Sequence, residues 1–455
     1  MAPRVIVIGA GPAGTRAAEA LVGAGVRPVV IDEGRRSGGQ IYRRQPEGFT
    51  RTADKLYGTE APRAAAVHAA FDALAGRIDH RAQALAWNVR EGVLHIVQAG
   101  RAEALAFDAL IVATGASDRI MPLPGWTLPG VYSLGGAQIA MKAQACAIGQ
   151  RVAFLGSGPL LYLVAAQYAQ AGVAVAGVFD TAPLSASLRA LPLMAARPDV
   201  LAKGAALLWR LHRAGVPVHR GVTPLAVDGT DGVSGLRVRL AGGRELRVDC
   251  DAVGLGWHLR AETQLADLAG CDFAWDADSA QYLPVQDADG RSSVAGVYLA
   301  GDGVRILGAD GAEIAGRLAA FAALADLGIP VPDAEVAALR RRQQVMDRFR
   351  RGLMTAFPWP SHLAASLPDE TPVCRCEAVS AGELRRAAGP LDAPEVNRAK
   401  AFSRVGMGRC QGRYCGQASA AIVAAARSVP LDQVGRLRGQ APVRPLPIAT
   451  VVDAP

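Results

Sequence analysis

Seven cysteines occur in this chain of 455 residues, and four of them sit in two short stretches near its end, VCRCEAVSAG (373–382) and GMGRCQGRYCG (406–416). The pairs read Cys374-x-Cys376 and Cys410-x4-Cys415, with 33 residues between them. Such thiols could form disulfides, hold zinc or ligate iron and sulfide. Disulfides persist in oxidising compartments, whereas the isolated Cys146, Cys250 and Cys271 fit a reducing one, where single thiols pack as small hydrophobes. Zinc would accept four thiolates, but its ligand pairs are usually spaced by two to four residues and C-x-C pinches the metal. A [2Fe–2S] cluster shares four thiolates two per iron, which suits close pairs carried on two loops. Arg375, Arg404, Arg409 and Arg413 flank the thiols, and Gly406, Gly408, Gly412 and Gly416 free backbone amides to turn inward. Cations and N–H donors favour the extra negative charge of a reduced cluster, so the surroundings point to an electron carrier rather than a zinc staple.

An electron carrier needs a donor, and the first three hundred residues offer one. RVIVIGAGPAGTRAAEALVGAGVRPVVIDEG (4–34) reads as strand, glycine turn, alanine-rich helix and second strand, with Gly9-x-Gly11-x-x-Gly14 in the turn. Gly9 permits the tight turn, Gly11 the approach of a pyrophosphate, and Gly14 close packing of helix on strand. The diphosphate of a dinucleotide would sit on the positive end of the helix. Pro12 and Ala13 complete this cradle, and Asp32, 18 residues past Gly14, is spaced to meet ribose hydroxyls, with Glu33 beside it. A second βαβ unit spans 151–180, with Gly156-x-Gly158 and a closing Asp180, but Leu161 replaces the third glycine. That bulk should push the helix off the strand and disturb a dinucleotide seat, so NAD(P) or another nucleotide is poorly supported here. ALIVATGA (109–116) reads as a buried strand ending at Thr114-Gly115, and 296–320 runs from a strand through Gly301-Asp302-Gly303 into an alanine-rich helix.

These segments together resemble the two-dinucleotide flavoproteins typified by glutathione reductase and thioredoxin reductase. The resemblance covers about 1–330. It implies an α/β fold of two Rossmann-like domains, FAD as the cofactor, Asp302 as ligand of the ribityl chain with Gly301 and Gly303 close by, and SGGQIYR (37–43) as a flavin-side loop offering Gly38, Gly39 and Gln40. The helix end near Ala312 would favour negative charge on the reduced cofactor. No C-x-x-C or C-x4-C precedes residue 370, unlike those reductases. The implied layout is an FAD domain at 1–117 and 280–330, an NAD(P)-like domain at 118–279, a helical, proline-rich linker at 331–370, a small helical [2Fe–2S] domain at 371–430 and a tail at 431–455.

The cysteine segment resembles the iron–sulfur domain of bacterioferritin-associated ferredoxin, and more closely the module fused to flavoprotein subunits of opine oxidase, hydrogen cyanide synthase and hydroxyproline or proline dehydrogenase complexes. PGWTLPGVYSLGGAQ (124–138), GSGPLL and APVRPLPIATV (441–451) match that group too. The resemblance implies an electron-transferring subunit of a heteromeric amino-acid or imino-acid dehydrogenase or oxidase. Its expected partners are a downstream electron acceptor and a D-amino-acid-oxidase-like, amine-oxidising flavoprotein subunit. The alternatives are an autonomous NAD(P)H-dependent reductase and a noncatalytic assembly subunit. No acid–base set assembles within the flavin segments: the seven histidines are scattered, and His258 is as readily structural as catalytic.

Composition narrows the classes. Half the residues are apolar and a fifth charged, as in globular chains, and the length calls for several domains. The net charge of +8 is spread along the sequence without a nucleic-acid recognition motif. Its one dense run, LRRRQQVMDRFRR (339–351), reads as a solvated helix face, or more sharply as a docking surface for an acidic partner. No signal peptide is apparent, and the uncharged run Val152–Phe179 is broken by Gly156, Gly158, Pro159, Gly172 and Gly177, too often to span a bilayer. The expectation is a cytoplasmic protein that meets membranes only through partners.

Overall fold

The computed structural model describes residues 2–452. Val5–Ile8 is apolar throughout and buried at every position, so it belongs inside a sheet covered on both faces. It pairs in parallel with Val29–Asp32 and Ala109–Val112, and the sheet extends to Asp79–Ala82 on one side and Val297–Leu299 on the other. The crossover helix Pro12–Gly23 lies against a second helix, Gly308–Asp326. There the backbones touch: a Cβ on Gly316 would fall 2.0 Å from the Ala13 carbonyl oxygen.

A second parallel sheet repeats the plan with Val218–Arg220, Ala174–Asp180, Arg151–Ser157, Ala252–Trp257 and Val131–Ser133 in that order. The uncharged run Val152–Phe179 is thus two strands flanking the helix Pro159–Gln170. Among the described residues no helix is long and apolar enough to cross a membrane. The two halves are tied by a short antiparallel ribbon, Ala116–Asp118 against Leu259–Ala261.

The arginine-rich stretch keeps a solvated face, with Arg340, Arg341, Arg342, Arg348 and Arg351 exposed, while its opposite side is packed. It forms the 24-residue helix Asp333–Ala356, with Leu339, Met346 and Phe349 buried. Arg350 is buried as well, balanced by Asp276, Asp278 and Asp347. The cause is a packed side: the helix rests on Leu184–Met194, where a Cβ on Gly352 would lie 2.7 Å from Met194 Cγ.

At the end of the chain a Ser380/Glu383 capping box starts Ala381–Ala388, which packs with Val396–Ser403 and Gly416–Arg427 around Ala388, Val396, Ala399 and Val423. This unit is not a separate bead. Val373, Cys374, Cys415 and Ile422 share one core with Ile120, Trp126 and Trp257, and Trp126 Nε1 donates to the Pro372 carbonyl (2.6 Å). The result is a mixed α/β molecule with two dinucleotide-type sheets and a small helical C-terminal domain.

Candidate flavin and iron–sulfur site

The turn after Val5–Ile8 is built from backbone that tolerates no side chain. Gly9 has φ +102°, and a Cβ there would lie 2.3 Å from the Ala113 carbonyl oxygen; one on Gly14 would lie 1.7 Å from the Gly9 oxygen. Gly11 differs, because its nearest neighbour would be Gly39 Cα at 3.6 Å. Gly11 and Gly39 therefore face each other across a gap that either Cβ would begin to fill, as close backbone approach to a diphosphate requires. Asp32 Oδ2 accepts from the Ala10 amide (2.6 Å) and Oδ1 from Gly34 (2.5 Å), so this carboxylate also buckles the turn. Glu33 lines the neighbouring cavity and is ion-paired with Arg444 of the returning C-terminal tail (3.3 Å).

That cavity, of about 1790 Å³, exceeds the roughly 300–1,000 Å³ of common small-molecule sites. Gly9, Gly11, Pro12, Ala13, Asp32, Glu33, Gly39, Gln40, Thr114, Gly115, Asp302 and Ala312 all line it. Gly14, Gly38 and Gly301 do not, and instead shape the backbone behind it. Asp302 Oδ1 accepts from Leu307 and Gly308 at the start of Gly308–Asp326 (2.8 and 3.0 Å), while burial pushes its carboxyl up to about 6. The positive end of that helix is thus partly spent on Asp302 before it can act on anything in the cavity.

The four clustered thiols come together. Cys374 and Cys415 are buried and hydrogen-bonded to each other, and Cys376 faces Cys410 in the same way. The hydrogen bond from Cys415 pushes the Cys374 thiol down to about 5, and Cys374 in turn pushes Cys415 well up. Among the described residues no three His, Cys, Asp or Glu side chains are arranged around a single ion. Two facing pairs are the donor set of a two-iron cluster, not of one tetrahedral metal, so the residues fit the former. The glycines here make room: a Cβ on Gly408 would lie 2.3 Å from Cys376 Cβ. Cys376 and Cys410 also line the large cavity, so the thiols and the dinucleotide cradle open into one space.

Some residues at the site carry no motif. Glu262 receives Arg413 Nε (2.5 Å) and Nη2 (3.2 Å), while its main chain bonds Thr114 Oγ1 and the Gly115 carbonyl. Burial raises its carboxyl, and Arg413 and Arg260 overcome that and hold it low. Lys142, buried in the cavity wall, donates to the Ile41 carbonyl of the flavin-side loop (3.0 Å), and burial with Arg43 lowers it to about 8. Only their contacts with residues a hundred or more positions away reveal them.

The second βαβ unit keeps its geometry but uses its acid internally. Asp180 is fully buried and accepts from Tyr162 Oη (2.5 Å) and the Ala182 amide (2.8 Å). Leu161 is buried in the core beneath. Gly158 faces His258, whose backbone would lie 3.3 Å from a Cβ there.

Known proteins share this chain's sequence and fold over most of its length. Residues 3–325 match the model of the pyridine nucleotide-disulphide oxidoreductases. The chain belongs to that family. In this family member, residues 372–425 additionally match the BFD-like [2Fe-2S] binding domain. The oxidoreductase is 38% identical over 468 residues to the A-type component of opine oxidase from Agrobacterium tumefaciens, covering 99% of this chain and 92% of that one. It is 30% identical to hydrogen cyanide synthase subunit HcnB of Pseudomonas aeruginosa, covering 98% and 97%. Among solved structures it is similar in fold to L-proline dehydrogenase from P. horikoshii, with TM-score 0.68, 18% identity, and 99% and 79% of the two chains covered. It is a flavin-dependent oxidoreductase of glutathione-reductase-like fold with a [2Fe–2S] domain.

Proposed function

We propose that this chain is the electron-transferring subunit of a heteromeric dehydrogenase or oxidase that acts on the CH–NH bond of an amino or imino acid. One observation carries the reading: Cys376 and Cys410 line the same cavity as the dinucleotide cradle. Bound FAD supplies two-electron chemistry and a two-iron cluster one-electron chemistry, so joining them converts paired electrons to single ones.

The chain's own residues hold and orient. Gly9, Gly11 and Gly14 with Pro12, Ala13 and Gly39 would cradle the diphosphate, and Asp32 and Glu33 would take the ribose side. Asp302, fixed through Oδ1, would offer Oδ2 to the ribityl hydroxyls of a bound FAD, with Gly301 and Ala312 beside it. Gln40, Thr114 and Gly115 would border the ring system, with Gly38 shaping the loop behind them, and Cys374, Cys376, Cys410 and Cys415 would hold the irons. Amine oxidation belongs to a partner flavoprotein, in keeping with the names of the opine oxidase and hydrogen cyanide synthase relatives, each of which is one component of a larger enzyme. The buried Tyr162–Asp180 contact argues against NAD(P)H as the electron source.

The test is anaerobic rapid mixing. With NADH alone the flavin of the purified chain should stay oxidised. With a D-amino-acid-oxidase-like flavoprotein partner and a proline, hydroxyproline or opine substrate, flavin and cluster should reduce within turnover. Fast bleaching by NADH would establish an autonomous reductase instead, and a reconstituted complex that oxidises substrate while leaving this chain oxidised would give it an assembly role only.

A further inference from the structure

The ribbon that ties the two halves together ends in charges that reach the cysteine loops. Glu262 follows the strand Leu259–Ala261 and accepts from one edge of the Arg413 guanidinium, Nε and Nη2. Arg413 lies between Cys410 and Cys415 in sequence, and its Nη1 also donates to the carbonyls of Cys410 (3.2 Å) and Val443 (2.7 Å). From the ribbon itself, Arg260 Nη1 donates to the Arg413 carbonyl (3.1 Å). Arg413 and Glu262 are both buried, and Arg260 is partly so.

Two guanidinium groups and one carboxylate leave a net single positive charge. An oxidised two-iron cluster with four thiolates carries two negative charges and gains a third on reduction, so a fixed positive charge beside it favours the reduced form. Because the groups are withdrawn from water, that field is screened less than the exposed arginines Arg404 and Arg409 would be. Glu262 moderates it. Its main chain is held by Thr114 and Gly115, so the same residue fixes the distance between the flavin-side strand and the cluster loop.

We propose that the Arg260–Glu262–Arg413 triad sets the reduction potential of the cluster, Arg260 and Arg413 raising it and Glu262 holding it down, so that the cluster accepts electrons from the flavin side. The inference rests on the reading that the four thiols hold a two-iron cluster. These three are positioning residues that act on the cluster through their charge, and Glu262 and Arg413 also border the shared cavity.

A purely structural staple would change stability or iron content without a signed effect on potential. The experiment is therefore an anaerobic redox titration of the intact chain, followed through the paramagnetic signal of the reduced cluster. Glu262→Gln should move the midpoint up, Arg260→Gln and Arg413→Gln should move it down, and Arg413→Lys should recover most of the Arg413→Gln loss. A tenfold change in the partition of electrons between flavin and cluster, about 59 mV for a one-electron couple, is the expected size. Should Arg413→Gln lose its iron, the opposed signs of Glu262→Gln and Arg260→Gln decide the matter. Midpoints that stay put, or that all move one way, in variants with full iron and sulfide overturn the triad's role alone. Wild-type protein lacking iron overturns the cluster reading and this inference with it.

Discussion

His258 shows how a single residue can be placed by contacts that no motif records. Its backbone adopts φ +66°, its ring is buried, and neither nitrogen finds a protein partner among the described residues. Burial, with Arg119 and then Arg350 adding to it, pushes the imidazole down to about 4. The native state therefore holds it neutral, while the unfolded chain takes up a proton near pH 6.5. Stability present above pH 6.5 is lost as the pH falls toward 4, and by pH 5 the loss from this residue is about 2 kcal/mol. His258→Asn, which suits the left-handed backbone, should flatten the fall in chemical-denaturation stability between pH 7 and pH 5 by that amount. Equal slopes in the two proteins would show that His258 is not buried neutral. In the sequence this histidine looks as structural as catalytic, because residues 119 and 350 are remote from it along the chain.

At the scale of elements, the legible parts were those whose chemistry is local. The strand, glycine turn, helix and second strand of residues 4–34 announce themselves because Gly14 answers to Gly9 within the unit, Gly9 to Ala113 and Gly11 to the nearby Gly39. In the second unit Leu161 marks a departure from the dinucleotide pattern, but the internal use of Asp180 comes from Tyr162, and a hydroxyl reaching a carboxylate 18 residues away has no signature. The arginine-rich helix is legible on its solvated side, where Arg340, Arg341, Arg342, Arg348 and Arg351 are exposed, and misread only at Arg350, for a related reason. Its composition suits solvent, whereas the acids that bury Arg350 come largely from residues 276 and 278. The cysteine loop is the converse, a case where the motif and its packing agree. Gly408 stands where a Cβ would overlap Cys376, and such overpacking costs about 1–3 kcal/mol in a well-filled site. Gly408→Ala should thus lower iron and acid-labile sulfide sharply and leave the flavin-to-protein ratio unchanged. Full iron content in this variant would mean that the loop has a different course around the thiols.

Over the whole molecule, sites separated by more than three hundred residues share one space. The cradle comes from the first strand–turn–helix, Asp302 from the strand–helix passage near 300, and the thiols from the last hundred residues; all meet around a single cavity. The tail closes the circuit, with Val443 donating to the Trp87 carbonyl and Arg444 paired to Glu33. The chain order of these motifs could be read directly, but the meeting of Cys376 and Cys410 with the cradle could not, since it depends on the C-terminal unit sharing its core with Trp126 and Trp257.

The central claim, one flavin and one two-iron cluster in electronic contact within this polypeptide, is tested most directly by stepwise anaerobic reduction of the isolated chain, with visible and paramagnetic resonance spectra taken alongside iron, sulfide and flavin analysis. The account predicts about two irons and two acid-labile sulfides per flavin and uptake of about three electrons, two by the flavin and one by the cluster. Zinc in place of iron, or uptake of two electrons with no paramagnetic cluster, would contradict it.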